Sequence, residues 1–457
     1  MLIPLTGHIT VLWIAILLFF PGIRAHAEQA SSKSAEPAPE KGKDADSGFR
    51  AWAERGVSGP EHWHYYWLDG FNMDSPKQHF TAKLNLSVFV DAGDINPDAS
   101  LQTAFPDFEG AAVVLRRARI TAQMNIYDWA RARMQVEFAD VKNIGDLWIQ
   151  FTKVPLIDYI TLGHMKEPLS LEEWTSGTST TFMERALPVV AFGHGRNLGI
   201  RRQSPILNDR MTWALGAFLN TISFSTIGEG IDSLSQANGY DLTGRITAVP
   251  WYEDGGSKLL HLGLGYSHSI RDENNPNEQV KMATVPESNL KNDKLVDTDK
   301  FAVNSGDTLN LELALVSGPL SFQGEYFHVF TDSDIEGNPD FWGYYAFVSY
   351  LLTGEHRMYG KENGAFLRLF PRQDFGFGKG GWGAWELALR YSYVNLNGNR
   401  IQGGIERNVT VGLNWYLTSK TRFMFNYIRA DVKDRRTAPS LPDGNADIFQ
   451  IRFQFEF

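Results

Sequence analysis

Between Phe80 and Phe457, apolar and polar side chains alternate with a period of two in segment after segment. A strand points successive side chains to opposite faces, whereas a helix repeats every 3.6 residues, so this spacing excludes a helical domain over the stretch. In Phe80–Asp91 the residues Phe80, Ala82, Leu84, Leu86, Val88 and Val90 share one face. Thr81, Lys83, Asn85, Ser87 and Asp91 share the other, and only Phe89 is out of place. Ala112–Ile126 sets Val114, Ala118, Ile120, Ala122, Met124 and Ile126 against Arg117, Arg119, Thr121, Gln123 and Asn125, with Arg116 interrupting the apolar face. Ala130–Phe138 and Asp447–Phe457 repeat the pattern.

Read this way throughout, the chain predicts sixteen strands. They lie near 78–91, 111–126, 130–140, 144–153, 158–166, 195–203, 210–222 and 238–249, then 257–269, 306–317, 319–331, 341–353, 384–396, 405–417, 420–432 and 446–457. An even number puts both ends on one side, as antiparallel closure of a bacterial outer-membrane barrel requires. With the amino end periplasmic, the long segments 92–110, 167–194, 223–237, 270–305 and 433–445 fall outside. The tight connections 127–129, 318 and 418–419 fall inside, and 354–383 is the exception, a long connection on the inner side. A soluble sandwich also alternates. Here, however, the apolar face persists on nearly every strand, and aromatics gather at strand ends: Tyr127/Trp129, Trp251/Tyr252, Trp382/Trp385 and Trp415/Tyr416. A lipid-facing band with aromatic girdles predicts both. The mean hydropathy of −0.27 rules out a polytopic helical membrane protein but not a barrel, whose strands average to neutral. The expected fold is all-β: a sixteen-stranded antiparallel transmembrane β-barrel.

The first residues set the compartment. Ile9 to Phe20 form an apolar run too short to span a bilayer, and Ala25-His26-Ala27 offers an A-x-A cleavage site before Glu28. Residues 1–27 therefore read as a signal peptide, 28–48 as a flexible low-complexity linker, 49–77 as a periplasmic segment and 78–457 as the barrel. The implied location is the bacterial outer membrane, with its lipid and lipopolysaccharide as surroundings. The chain has no Cys, which excludes disulfides, zinc–thiolate sites and cysteine nucleophiles. A net charge of −10 argues against nucleic acid as a partner.

Barrels of sixteen strands are wide enough to hold an aqueous channel. The segment 167–194 is the natural constriction and carries Glu172, Glu173, Glu184, Arg185 and His194. The face opposite the apolar one bears Lys83, Arg117, Arg119, Arg131, Arg133, Arg201, Arg245, Arg390 and Arg452. Its acids are Asp91, Glu137, Asp146, Asp241, Glu312, Glu325, Glu386 and Glu456, so the lining is close to balance and local placement decides selectivity. Arg117, Arg119, Arg131 and Arg133 sit on two strands joined by a tight turn. Facing the lumen together they form a basic stripe suited to anions; paired with loop carboxylates they are structural.

Eight motifs in order resemble the phosphate-selective porin O and P family. They are DGFNMDS (69–75), LRRARIT (115–121), GHMKEPLSLEEWTS (163–176), TFMERALP (181–188), GRNLGI (195–200), SYLLTGEHRMY (349–359), GAWELALRYSY (383–393) and VGLNWYLT (411–418). The resemblance implies a homotrimer of sixteen-stranded barrels, a third outer loop folded into each pore, and passive diffusion of small anions such as phosphate. By motif, Arg116 and Arg117 take the place of a paired arginine, Arg185 that of the constriction-loop arginine, and Lys166 joins the pore lining. Arg357, Lys361, Arg368, Arg372 and Lys379, on the long inner connection, stand as the periplasmic basic cluster. The sequence departs from phosphate-selective members at Glu173, where a lysine is expected, and at Ser87, where an arginine is. The segment 270–305 has a single arginine, Arg271, where a ladder of them is expected. A phosphate dianion without those donors loses charge-assisted hydrogen bonds.

Other motifs fail. Gly376–Gly381 matches G-x-G-x-x-G, but a strand follows where a dinucleotide site needs a helix. Asp332–Gly337 begins like a calcium loop, yet its twelfth position is Gly343 instead of Glu. His62-Trp63-His64 has no third ligand nearby. Neither a metal nor a cofactor is expected, and no catalytic residue. The rival readings are a receptor or adhesion barrel and an outer-membrane barrel enzyme.

Overall fold

The computed structural model describes residues 62–139, 144–154, 158–220, 239–271, 274–275, 278–378, 380–437 and 439–457. The expected signal peptide, the linker, the start of the periplasmic segment and Lys379 lie outside them.

Sixteen long strands form one closed sheet. They are β1 Phe80–Pro97, β2 Gly110–Ile126, β3 Ala130–Glu137, β4 Ile144–Val154, β5 Asp158–Lys166, β6 Arg196–Ile206, β7 Met211–Leu219 and β8 Tyr240–Glu253. The second half is β9 Lys258–Ile270, β10 Ser305–Ser317, β11 Leu320–Asp332, β12 Asp340–Leu351, β13 Ala384–Gly398, β14 Ile401–Tyr416, β15 Thr421–Arg435 and β16 Leu441–Glu456. Each strand pairs antiparallel with the next, and β16 returns to β1 from Ala446↔Pro97 to Glu456↔Ser87. Closure leaves no free edge, so every backbone group has a partner where water is absent. All sixteen expected strands are present. Several run longer at their outer ends, where pairing continues beyond the lipid band and alternation no longer marks it.

The faces are reversed relative to a soluble core. Leu84, Leu262, Leu264, Leu311, Leu313, Leu387, Leu389, Val409 and Val411 are exposed outward. Asp91, Glu312, Arg390, Asn408, Asn426 and Arg452 are buried within. Aromatic rings mark the two ends of the outer face: Tyr127, Trp129 and Phe151 stack in series near the short turns, as do Trp385, Trp415 and Phe423. At the other end Trp342, Tyr344 and Tyr393 form a second group. Two assignments are corrected by bulges, which shift strand parity by one. The β1–β2 register slips between Phe89 and Val90, making Arg116 the extra residue. Val114 therefore lies opposite Asp91 and faces inward, while Val113 and Leu115 face out. In β8 the register slips between Ala248 and Trp251, spanning Pro250, which cannot donate to a ladder. Tyr252 is turned inward against the cluster around Tyr359, so it belongs to no girdle.

Below the seam, a hairpin of His64–Trp67 and Phe71–Asp74 pairs with the foot of β1 from Phe71↔Leu84 to Asp74↔Thr81. It occupies the place where β16 has already ended, and Trp67 stacks on Phe457 at 5.3 Å.

Candidate functional site

Three segments fold into the barrel. The third outer loop, 167–195, is tied at both its short helices. Ser170 caps Leu171–Trp174 by accepting from the Glu173 amide at 3.1 Å. The first amides of that helix, Leu171 and Glu172, donate to Glu325 on β11 at 3.0 and 2.8 Å. Helix Leu187–Phe192 begins with Pro188 in its first turn, where a missing N–H costs nothing. It buries Leu187, Val189 and Phe192 in a cluster with Phe327, Phe341 and Phe347. Gly343 on β12 admits it: a Cβ there would come within 2.8 Å of Pro188. Between the helices, the carbonyls of Thr180, Met183 and Glu184 accept from Arg422, Arg452 and Arg390. This is the constriction loop expected of 167–194.

Outer residues 278–304 also turn inward, burying Leu290, Leu295, Val296, Phe301 and Val303. They bring an acid where cations were expected: Glu287 pairs with Arg390 at 2.7 Å and accepts from Thr410 at 2.6 Å. From the inner side, 355–369 rises into the barrel. Arg245 donates to the Asn363 and Gly364 carbonyls, and His261 binds the Tyr359 hydroxyl at 2.7 Å.

The inserts cover β7 to β16 and the inner half of β6, where Gln203 bonds to Glu362 and Asn363, and leave β2–β5 and the outer end of β6 open. Arg245 and Arg390 face inward as expected but are sealed: Arg245 pairs with Glu312 at 2.7 Å, and Arg390 with Glu172 at 3.5 Å and Glu287. Arg201 is also covered, its guanidinium 4.8 Å from the Trp174 ring centre. On the open wall and on the part of the third loop beside it, the two charge signs are unequally placed. The side chains of Arg119, Arg133, Arg185 and Arg196 are 18–33% exposed. Their partners Glu137, Asp146 and Glu173, with Glu184 beside them, are at most 11% exposed. Arg116 (bonded to Glu184 at 2.8 Å), Arg131 and Lys166 complete the set. Arg117 lies flat on Phe89 at 4.5 Å, which explains the ring that broke the alternation of β1. An anion inside this barrel meets guanidinium edges, with the carboxylates behind them.

The acids of the loop are each matched. Glu173 is 3.0 Å from Arg185, and Glu184 bridges Arg116 and Arg452. Burial opposes the charge on Glu184, but those two guanidiniums hold it well below the usual carboxylate range. Glu172 is shifted the other way: its burial outweighs Arg390 and raises it. His194 is half-buried, which opposes its charge, yet Glu167 at 3.1 Å keeps its imidazole above the ordinary value.

Of the expected periplasmic cluster, Arg357 and Arg368 line one cavity while Lys361 lies apart. Arg357 points up among Phe347 and Phe366, Lys361 lies over Tyr252, and Arg368 binds Asp69 at 3.1 Å and Glu456. The Arg372 amide donates to Glu355. Lys83 joins Asp69 at 2.6 Å, as does Lys420 at 2.9 Å. Asp69, Glu287 and Arg196 carry weight that parity did not reveal, because each sits on a turn, a loop or the off-parity first residue of a strand. Arg196, bonded to Asp146 at 2.6 Å, lies in the GRNLGI motif, which was the available signal.

Comparison with known proteins agrees with this geometry. The family model described as phosphate-selective porin O and P matches residues 82–457. An uncharacterized protein of Caulobacter vibrioides is 28% identical over 342 residues, 74% of this chain and 66% of its own. Porin O of Pseudomonas aeruginosa is 30% identical over 158 residues, 32% of this chain and 34% of its own. The matches thus span less than two thirds of these curated relatives. The outer membrane channel DcaP of Acinetobacter baumannii has the same fold, with a TM-score of 0.50 at 11% identity, covering 85% of this chain and 100% of that one.

Proposed function

The chain belongs to the phosphate-selective porin O and P family, and on that premise we propose that it is an outer-membrane channel for passive diffusion of small solutes, preferring anions. The observation that carries the preference is the unequal exposure on the open wall and the loop beside it, where guanidiniums are 18–33% exposed and their carboxylates at most 11%. Phosphate and other oxyanions are the class that such forks hold best. Glu173 does not oppose them, since Arg185 is bonded to it. Assembly as a homotrimer amid outer-membrane lipid and lipopolysaccharide, after cleavage before Glu28, belongs to the same proposal. Native mass spectrometry and amino-terminal sequencing of the membrane-extracted protein test those parts.

The decisive measurement is the reversal potential of single channels in a planar bilayer across a KCl gradient, followed by addition of phosphate. Chloride preference with block by low phosphate supports an oxyanion channel. Chloride preference without block reduces the reading to a general anion channel. Cation preference sinks it, and absence of conductance returns the weight to a receptor barrel.

A further inference from the structure

Away from the open wall, a small cavity lies between the tip of the third outer loop at Thr178–Thr181, the inner segment, and the turn joining β14 to β15. About 20 Å³ of it is open to the centre of a water molecule, room for one small ion and not for a sugar or nucleotide. Two of its lining residues are arginines more than nine-tenths buried, Arg357 at 8% and Arg422 at 3% exposure. Arg422 donates to Gln454 at 2.9 Å and the Thr180 carbonyl at 2.8 Å, and Arg357 donates to Gln323 at 3.0 Å. Neither has a carboxylate partner among the described residues. Among the described residues, Nη1 of Arg357 and Nη2 of Arg422 have no hydrogen-bond partner.

Leaving a buried guanidinium N–H unpaired is unfavourable, and here two such arginines face one cavity whose single lining carboxylate is Glu386. Glu386 attracts Arg357, but its hydrogen bonds go to Thr181, Asn414 and Tyr416, so one carboxylate stands against two arginines and leaves a positive surplus. Arg368 and Lys420 also line the cavity, but they are held by Asp69 and Glu456. The remaining wall offers hydroxyls, among them Thr178, Ser179 and Thr418. Forked N–H donors and hydroxyls match the several acceptor oxygens of an oxyanion better than a monatomic halide.

We infer that this cavity binds one small tetrahedral oxyanion, of the phosphate or sulfate class, which joins the tip of the constriction loop to the inner segment. The site is resident and separate from the permeation wall: none of Arg119, Arg133, Arg185 or Arg196 lines it. Burial pulls the Arg357 guanidinium below its ordinary value against the pull of Glu386, and an anion beside it would act in the same sense as Glu386.

The test uses the full chain, purified in chloride and melted with added inorganic phosphate or sulfate, against chloride at matched ionic strength. The wild type and R119Q are expected to show a saturable rise in melting temperature. R357M and R422M should weaken the half-saturating concentration by at least about tenfold. No oxyanion-specific rise in the wild type, or an equal rise in the two cavity variants, overturns the inference. A rise lost in R119Q but kept in R357M and R422M would place the ion on the permeation wall, overturning this site while leaving the proposed channel standing. Should either cavity variant not fold, crystals of the wild type grown with selenate decide. An anomalous peak between Arg357 and Arg422 supports the site, and its absence at saturating selenate rejects it.

Discussion

Arg119 and Arg245 are the same residue type on the same face of the same barrel, and their surroundings give them opposite roles. Arg119 shares Glu137 with Arg117 and remains partly open to water. Arg245 is shut in with Glu312 and His261. R119Q should therefore move the reversal potential toward cations while barely changing stability. R245M should do the reverse, leaving Glu312 buried without its guanidinium at a cost of about 3–5 kcal/mol, read as a shifted urea midpoint. His194 supplies a pH dependence. Its ring contacts Glu167 and Ser267, and Asp241, Arg271 and Thr243 surround the pair. Because its folded value is raised above the ordinary ~6.5, its contribution is fully present below that value. The contribution fades as pH rises through the raised one. Unfolding followed from pH 6 upward should show this loss in the wild type and its absence in H194Q; identical profiles would refute it.

At the scale of elements, the inserts decide what the barrel can pass. The inner segment 352–383 buries Tyr359, Ala365 and Phe366 against Leu259, Ala314 and Val316, filling the lumen from the periplasmic end. Replacing residues 357–369 with a glycine-serine linker should raise single-channel conductance severalfold and lower thermal stability. Unchanged conductance would mean that the third outer loop alone limits flow. Alternation announced the strands but could announce neither 278–304 nor the inner segment as an insert, because a segment of irregular backbone has no period to display. The length of 354–383 on the side of short turns was the visible sign. Arg116 shows the limit within a strand: it visibly interrupted the apolar face, but spacing alone did not say that the interruption was a bulge that reverses Val114.

In the whole molecule, Asp69 joins three parts distant in sequence: the foot of β1 through Lys83, the inner segment through Arg368, and the β14–β15 turn through Lys420. Partial burial opposes its charge, but hydrogen bonds from Lys83 and Lys420 lower its pKa to about 2. Its stabilisation is present above the ordinary carboxylate value and is lost as pH falls through about 2. Acid unfolding of D69N should lack that last increment, and a profile equal to the wild type would show the junction to be idle. The sequence by itself determined the barrel, its sixteen strands, its inward and outward faces and its aromatic rims, because lipid outside and water inside impose a period of two that local spacing records. Only the tertiary structure decided which inward arginines meet water. Exposure depends on what the loops lay over each one, and those contacts join residues such as Arg390 and Glu172, more than two hundred positions apart, whose pairing no spacing encodes.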